Sequence, residues 1–352
     1  MAMKELTSKE RVNLVLSGGT PDRVPVVPQG FMFSAKTAGY EIGEINRYPA
    51  KMAESHRICQ EKYGYDGCVV DVDDATLAEA CGAKVMFREQ GVASVDEHAP
   101  VLEDLRDIDR LKLPDPLHDG RICEWLETVE RLSRAIGDHV FIIGRADQGP
   151  FSLLSLLRGT QEFMMDLLTE EPEVIHHALE WTTEAHIRFA KAQLAAGAHA
   201  TSMGDAYASP DLISPEMYRT FALPYEKKVA EAIQQHGAPY SVHICGDTTR
   251  IIGDMGKCGA KILEMDWKCD MGYARSVVPP EVVLMGNVNP SDPMCIGTPQ
   301  DVREQVRAII EKTKGQGLLL SSGCALGANT NPENMEAFMA AAKEFGRLEP
   351  QA

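Results

Sequence analysis

Three side chains set the chemical problem. His243 and Cys245 stand two residues apart in the run Tyr240–Cys245, and Cys324 follows the run Leu318–Ser321, 79 residues further on. In a β-strand, residues i and i+2 project from the same face, so an imidazole and a thiolate would enter the same space. If the two runs end beside one another, a second thiolate joins them. Two sulfurs and one nitrogen suit zinc, and three protein ligands with an open fourth position is the pattern of a catalytic zinc site. Glu264, near the end of the next run, is the candidate fourth ligand, or else the group that orients the His243 ring. Asp205 competes for that orienting role and is, with Glu264, the candidate catalytic carboxylate. The structural alternative for both is a carboxylate that caps a helix or pairs with Arg145.

These residues need a scaffold. Eight short apolar runs bounded by Gly, Pro or Asp recur along the chain: Val24–Pro28, Cys68–Val72, Val140–Gly144, Ala200–Gly204, Tyr240–Cys245, Lys261–Met265, Val282–Met285 and Leu318–Ser321. That is the pattern of strands buried on both faces. Helical segments fall between most of them, including Pro172–Ala196, Pro215–His236 and Pro299–Lys314, and a last helix opens at Asn331 and runs to about Phe345. Ser214-Pro215-Glu216 and Thr298-Pro299-Gln300-Asp301 each read as an N-cap followed by proline at the first helical position. The alternation predicts an α/β protein with a parallel sheet, and eight is the closing number of a (β/α)8 TIM barrel. The expectation is one barrel domain over residues 1–352, with an N-terminal helical extension (1–20) and an insertion after the second strand, at about 80–138. In that insertion, Ala83–Arg88 and Val92–Val95 read as short strands. An open doubly wound sheet is the alternative.

In either architecture the chemistry collects at the carboxyl ends of the strands. The runs end in Asp71, Asp73 and Asp74; Arg145, Asp147 and Gln148; Asp205; His243 and Cys245; Glu264 and Asp266; Asn287 and Asn289; and Ser322 and Cys324. Arg145, Asp147 and Asn287 are the candidate substrate-binding residues. Arg145 or Arg250 could hold an anionic substituent; the alternative for each is an ordinary ion pair.

Composition narrows the classes. The chain of 352 residues carries 52 acidic and 35 basic side chains, a formal charge of −17. Such a surface repels a phosphate backbone or an anionic membrane. No stretch reaches the roughly 18 apolar residues of a membrane span. Met1–Glu10 lacks the apolar core of a secretory leader. The expectation is a cytoplasmic protein with reduced cysteines. Of its nine, Cys59, Cys68, Cys81, Cys123, Cys258, Cys269 and Cys295 read as packing residues.

Several segments carry a resemblance that covers nearly the whole chain. They are Gly149-Pro150-Phe151-Ser152 with Leu157-Arg158-Gly159; Gly204-Asp205 with Ser214-Pro215-Glu216-Met217-Tyr218; His243-Ile244-Cys245-Gly246-Asp247-Thr248-Thr249; Met285-Gly286-Asn287-Val288-Asn289-Pro290; and Ser322-Gly323-Cys324-Ala325-Leu326. In this order they resemble the uroporphyrinogen decarboxylase superfamily, and within it the branch of cobalamin-dependent methyltransferases that includes the methylcobamide:coenzyme M methyltransferases. The decarboxylases carry paired arginines after the first strand, whereas the matching stretch here, Pro28-Gln29-Gly30-Phe31-Met32-Phe33-Ser34, has none.

The resemblance implies that His243, Cys245 and Cys324 bind zinc. It implies a methyl group moving between a corrinoid and a thiol such as coenzyme M. It also implies a small corrinoid protein as partner, docked over the barrel mouth; an assembly of two copies stays open. Transfer to tetrahydrofolate is an alternative. So is the donor-side half-reaction, in which a methoxylated compound, methanol or a methylamine supplies the methyl group. A metal-free lyase using Asp205, Asp73 or Glu264 as acid and base, with His243 a core residue, is a different class, and a non-catalytic corrinoid- or metabolite-binding protein a third.

Overall fold

The computed structural model describes residues 6–71 and 73–348. Val72, the last residue of the second expected run, and residues 1–5 of the expected extension lie outside the described residues, as do 349–352.

Among the described residues nine strands run in chain order: β1 (Gly67–Val70), β2 (Val85–Arg88), β3 (Gly91–Val95), β4 (Phe141–Gln148), β5 (Ala200–Gly204), β6 (Tyr240–His243), β7 (Ile262–Glu264), β8 (Val283–Val288) and β9 (Leu318–Ser322). Seven form one parallel sheet in the order β1-β4-β5-β6-β7-β8-β9. The other two pair antiparallel as a hairpin within the long connection from β1 to β4. That connection also holds the helices Thr76–Ala80 and Ile122–Ile136.

The first expected run, Val24–Pro28, is not a laddered strand. Pro25 and Pro28 have no N–H to give, and the Val26 N–H is spent on the Asp66 carboxylate (2.8 Å). The segment nevertheless touches both edges of the sheet. Val27 N–H donates to Leu320 O and Leu320 N–H to Pro25 O (both 2.8 Å), while Asp66 N–H donates to Val26 O (2.7 Å). The seven-stranded sheet is thus joined edge to edge through this segment, a TIM-barrel-like arrangement.

Alternation along the strands sorts their side chains. Val242 and Ile244, and Leu318 and Leu320, pack outward against the helices. Val69, Phe141, Ile143, Ala200, Ile262 and Leu319 belong to a separate apolar cluster inside. The helix Ser8–Leu16, opened by a capping box between Thr7 and Glu10, adds Val12, Val15 and Leu16 to that inner cluster. It stops the amino-terminal end of the sheet, away from the strand ends that carry polar groups.

One expected helix is interrupted. Pro215–His236 reads as continuous, but Pro215–Met217 passes into a π-turn at Tyr218–Ala222 before Leu223–Gln235 resumes. Pro224 has no N–H for the carbonyl one turn back, and the widened turn absorbs that missing bond. Among the described residues no helix is long and apolar enough to cross a membrane.

Candidate metal centre

The inward-facing residues climb in layers. Above the apolar floor, Arg145 of β4, Ser241 of β6 and Glu264 of β7 form a polar layer. The Arg145 guanidinium donates to Glu264 Oε2 (2.8 Å), and Ser241 donates to Glu264 Oε1 (2.7 Å). One step higher on the same face of β6 stand His243 and then Cys245, with Cys324 beyond the end of β9. The ligand atoms of these three lie within 4.8 Å of one another. His243 Nε2 is 3.2 Å from Cys245 Sγ, and Cys245 Sγ is 3.9 Å from Cys324 Sγ. Tetrahedral zinc with ordinary bond lengths holds its ligand atoms about 3.5–3.8 Å apart, so the donor set and its spacing fit the ion.

His243 is oriented for this. Its Nδ1 lies 3.0 Å from the backbone carbonyl of Glu264. A carbonyl only accepts, so Nδ1 carries the proton and the Nε2 lone pair points at the sulfurs. Burial pulls the imidazole pKa down, but the hydrogen bond to Cys324 and the negative charges of Cys324 and Glu264 together leave the group raised. The hydrogen bond between the thiols splits the pair. It lowers Cys324 against the opposing effect of burial, with help from His243, while Cys245 is pushed up by the same bond and then by burial.

Two glycines make the geometry accessible. Gly246 follows Cys245 at φ +92°, and an added Cβ would lie 2.4 Å from Asp211 Oδ2. Gly323 precedes Cys324, and its Cβ would lie 2.4 Å from the backbone nitrogen of Trp267.

The other candidates are engaged by protein groups, and Glu264, Asp205 and Arg145 take the structural alternatives named for them above. The Glu264 carboxylate is not part of the cluster: it is spent on Arg145 and Ser241, and it is the Glu264 carbonyl that orients His243. Asp205 accepts from Ser152 N–H (2.7 Å) in the first turn of the helix Pro150–Arg158, the capping alternative; burial pushes its pKa up to about 6. Arg145 is engaged by Glu264, Asp71, Gln29 and the Met203 carbonyl rather than open to a ligand. Asp147, at φ +60° in the irregular pairing of β4 with β5, accepts from Leu77 N–H and so caps the helix Thr76–Ala80. Asn287 donates to the carbonyls of Asp266 (2.9 Å) and Cys269 (2.7 Å) and ties down the loop after β7. Arg250 is exposed. Among the seven packing cysteines, Cys123 and Cys295 are only partly buried.

Sequence reasoning passed over Ser241 and Gln29. Ser241 was legible, since it shares the inward face of β6 with His243 and Cys245. Gln29 has no local signal, because its partners Arg145 and Ser322 (3.2 Å) stand 116 and 293 residues away along the chain.

A TIM-barrel-like fold with a His-Cys-Cys centre at the carboxyl ends of its strands defines a barrel protein of catalytic type, with a candidate site for a soft divalent cation. The chain belongs to the uroporphyrinogen decarboxylase (URO-D) family, whose pattern matches residues 7–345. It is 30% identical over 348 residues to a methylcobamide:CoM methyltransferase, MtbA, of Methanosarcina acetivorans, covering 97% of this chain and 99% of that protein. It is 27% identical over the same span to the methylcobamide:CoM methyltransferase MtaA of Methanosarcina barkeri. A solved methyltransferase from Methanosarcina mazei superposes with a TM-score of 0.89 at 27% identity, covering 97% of this chain and 99% of that one.

Proposed function

We propose that the chain is a zinc-containing, corrinoid-dependent methyltransferase that moves a methyl group between a corrinoid and a thiol. The observation that carries the reading is the convergence of His243 Nε2, Cys245 Sγ and Cys324 Sγ, with a protein partner already fixing the His243 tautomer. The full-length similarity to methylcobamide:CoM methyltransferases supports it.

When bound, zinc would supply a positive centre at which a substrate thiol is held as a thiolate near neutral pH. The chain's own groups prepare that position. Arg145 and Ser241 hold the Glu264 carboxylate to one side, leaving a fourth place for the substrate sulfur. The Glu264 carbonyl keeps the His243 ring aligned, and Gly246 N–H, bound to Asp266 (3.0 Å), fixes the turn behind Cys245. In the transfer the substrate sulfur bonds to the methyl carbon and the cobalt–carbon bond breaks. The electron pair stays on cobalt, which is reduced from Co(III) to Co(I), and the thiol proton passes to solvent. A small corrinoid protein presented at the barrel mouth is the proposed partner. Asp205 enters this reading as a positioning group.

Metal analysis of protein purified without a metal-affinity column tests the centre. About one zinc per chain is expected, lost in Cys245→Ala and in Cys324→Ala. Mixing the zinc protein with methylcobalamin and a thiol should convert the methylcobalamin spectrum to that of the reduced cobalamin. Well-folded protein without zinc, or no spectral change with any thiol, would overturn the proposal.

A further inference from the structure

We infer that Gln29 is a positioning residue for the metal centre: it ties the loop that carries Cys324 to the buried ion pair behind His243. The inference rests on the zinc site proposed above and concerns what sets the distance between ligands that come from different strands.

His243 and Cys245 stand two residues apart, so one stretch of backbone places both. Cys324 is brought from β9, three strands along the sheet from β6, and lies two residues beyond the end of its strand. The pairing of β8 with β9 stops at Val288 and Ser322, and Gly323 N–H donates to Val288 O (2.8 Å). Past that bond the loop is carried by Gln29. The Gln29 N–H donates to Ser322 Oγ (3.2 Å), two residues before Cys324. The Gln29 carbonyl accepts from Leu326 N–H (2.8 Å), two residues after it. Phe33 N–H then donates to Leu326 O (3.2 Å), which fastens the loop to the helix Phe31–Thr37. Both backbone groups of one residue thus bracket the cysteine.

The Gln29 side chain anchors this bracket to the polar layer beneath the cluster. It is fully buried, and its Oε1 accepts from Arg145 Nη2 (3.3 Å). A guanidinium only donates, so the amide oxygen must face it and the amide cannot turn over. The same nitrogen donates to Glu264 Oε2 (2.8 Å), so its two hydrogens serve Glu264 and Gln29. Glu264 is the residue whose carbonyl orients His243 (3.0 Å). One nitrogen therefore stands between the two halves of the donor set, reaching His243 through Glu264 and Cys324 through Gln29. Arg145 is held besides by Asp71 (3.3 Å) and the Met203 carbonyl (2.9 Å), so it does not follow a displaced Gln29. A side chain without an acceptor at position 29 releases the bracket, and the Cys324 sulfur leaves the place that the other two ligands define.

Two variants test the role. Gln29→Met keeps the length of the side chain and removes the acceptor, whereas Gln29→Glu keeps an oxygen for Arg145. Zinc affinity is measured by chelator competition. The cobalt(II)-substituted proteins are compared by absorption, where the sulfur-to-cobalt charge-transfer band reports bound thiolate. Gln29→Met should bind zinc about tenfold more weakly and lose charge-transfer intensity, and Gln29→Glu should restore both. A merely structural role would lower the denaturant midpoint of Gln29→Met and leave its zinc affinity and its band as in the wild type. That result overturns the inference, as does a Gln29→Glu no better than Gln29→Met. If Gln29→Met does not fold, Ser322→Ala, which removes the acceptor of the Gln29 N–H, is held to the same two readouts. Wild-type protein that binds neither metal defeats the zinc site and this inference with it. A wild type that binds both, matched by Gln29→Met, defeats the role of Gln29 alone.

Discussion

Single side chains around the strand ends divide into those that can hold an ion and those that hold the holders. His186 belongs to the second kind. It is fully buried on the helix Pro172–Ala195, with Nδ1 2.9 Å from the Gln148 carbonyl and Nε2 2.8 Å from the Tyr240 hydroxyl. It thereby ties the end of β4 to the start of β6. Burial lowers its pKa to about 4, below the ordinary 6.5. A depressed folded-state pKa contributes stability that is present above the unfolded value and is lost as pH falls from about 6.5 toward about 4. At pH 5 the loss from this one group is about 2 kcal/mol. Urea unfolding at pH 7 and pH 5 checks it: the drop between the two should be about 2 kcal/mol smaller in His186→Gln, and an equal drop would sink the argument. Sequence reading sees His243 because of its spacing to Cys245. It has no reason to single out His186, whose partners are 38 and 54 residues away.

Elements decide how accurately the ligands meet. Period-two alternation on β6 puts Ser241, His243 and Cys245 on one face, and this much is written in the run itself. The position of Cys324 is set instead by the close approach of the Gly323 backbone to Trp267, in the loop after β7. An added methyl there meets backbone, which cannot step aside. Gly323→Ala should therefore displace Cys324 and weaken zinc binding by about tenfold or more, with helical and strand content unchanged by circular dichroism. Gly253→Ala, at a position with nothing within 4 Å of the added carbon, is the matched control. Chelator competition gives the zinc affinities, and equal values for the two variants would refute the role assigned to Gly323. The helix after β5 shows the reverse case, where the deciding signal is local. Pro224 lies inside the expected helix Pro215–His236, and the π-turn at Tyr218–Ala222 is its consequence.

At the scale of the whole molecule, closure of the sheet is concentrated on one buried carboxylate. Asp66 Oδ1 accepts from Arg11 (2.8 Å) of the N-terminal helix, and Oδ2 from Arg23 (2.6 Å) and from Val26 N–H (2.8 Å). It joins the helix that stops the floor to the segment that bridges β9 and β1. Asp66→Ala would leave the Arg11 charge buried with only Asp22 to answer it, a loss of about 3–5 kcal/mol. Denaturant midpoints of the wild type and the variant check this, and a change below about 1 kcal/mol would show that closure does not depend on it. The alternation of apolar runs with capped helices determined the α/β parallel class, and the types and spacing of His243, Cys245 and Cys324 determined which ligands were available. Both rest on local periodicity, which a single chain displays without folding. The tertiary structure alone decided which carboxylates are free. Glu264 and Asp71 are consumed by Arg145, and Asp73 by Arg121, while Asp74 keeps an open face, because ion pairing depends on which strand ends become neighbours. It decided the first strand as well: two prolines deny Val24–Pro28 a full ladder, and only contact with both sheet edges gives the segment its place.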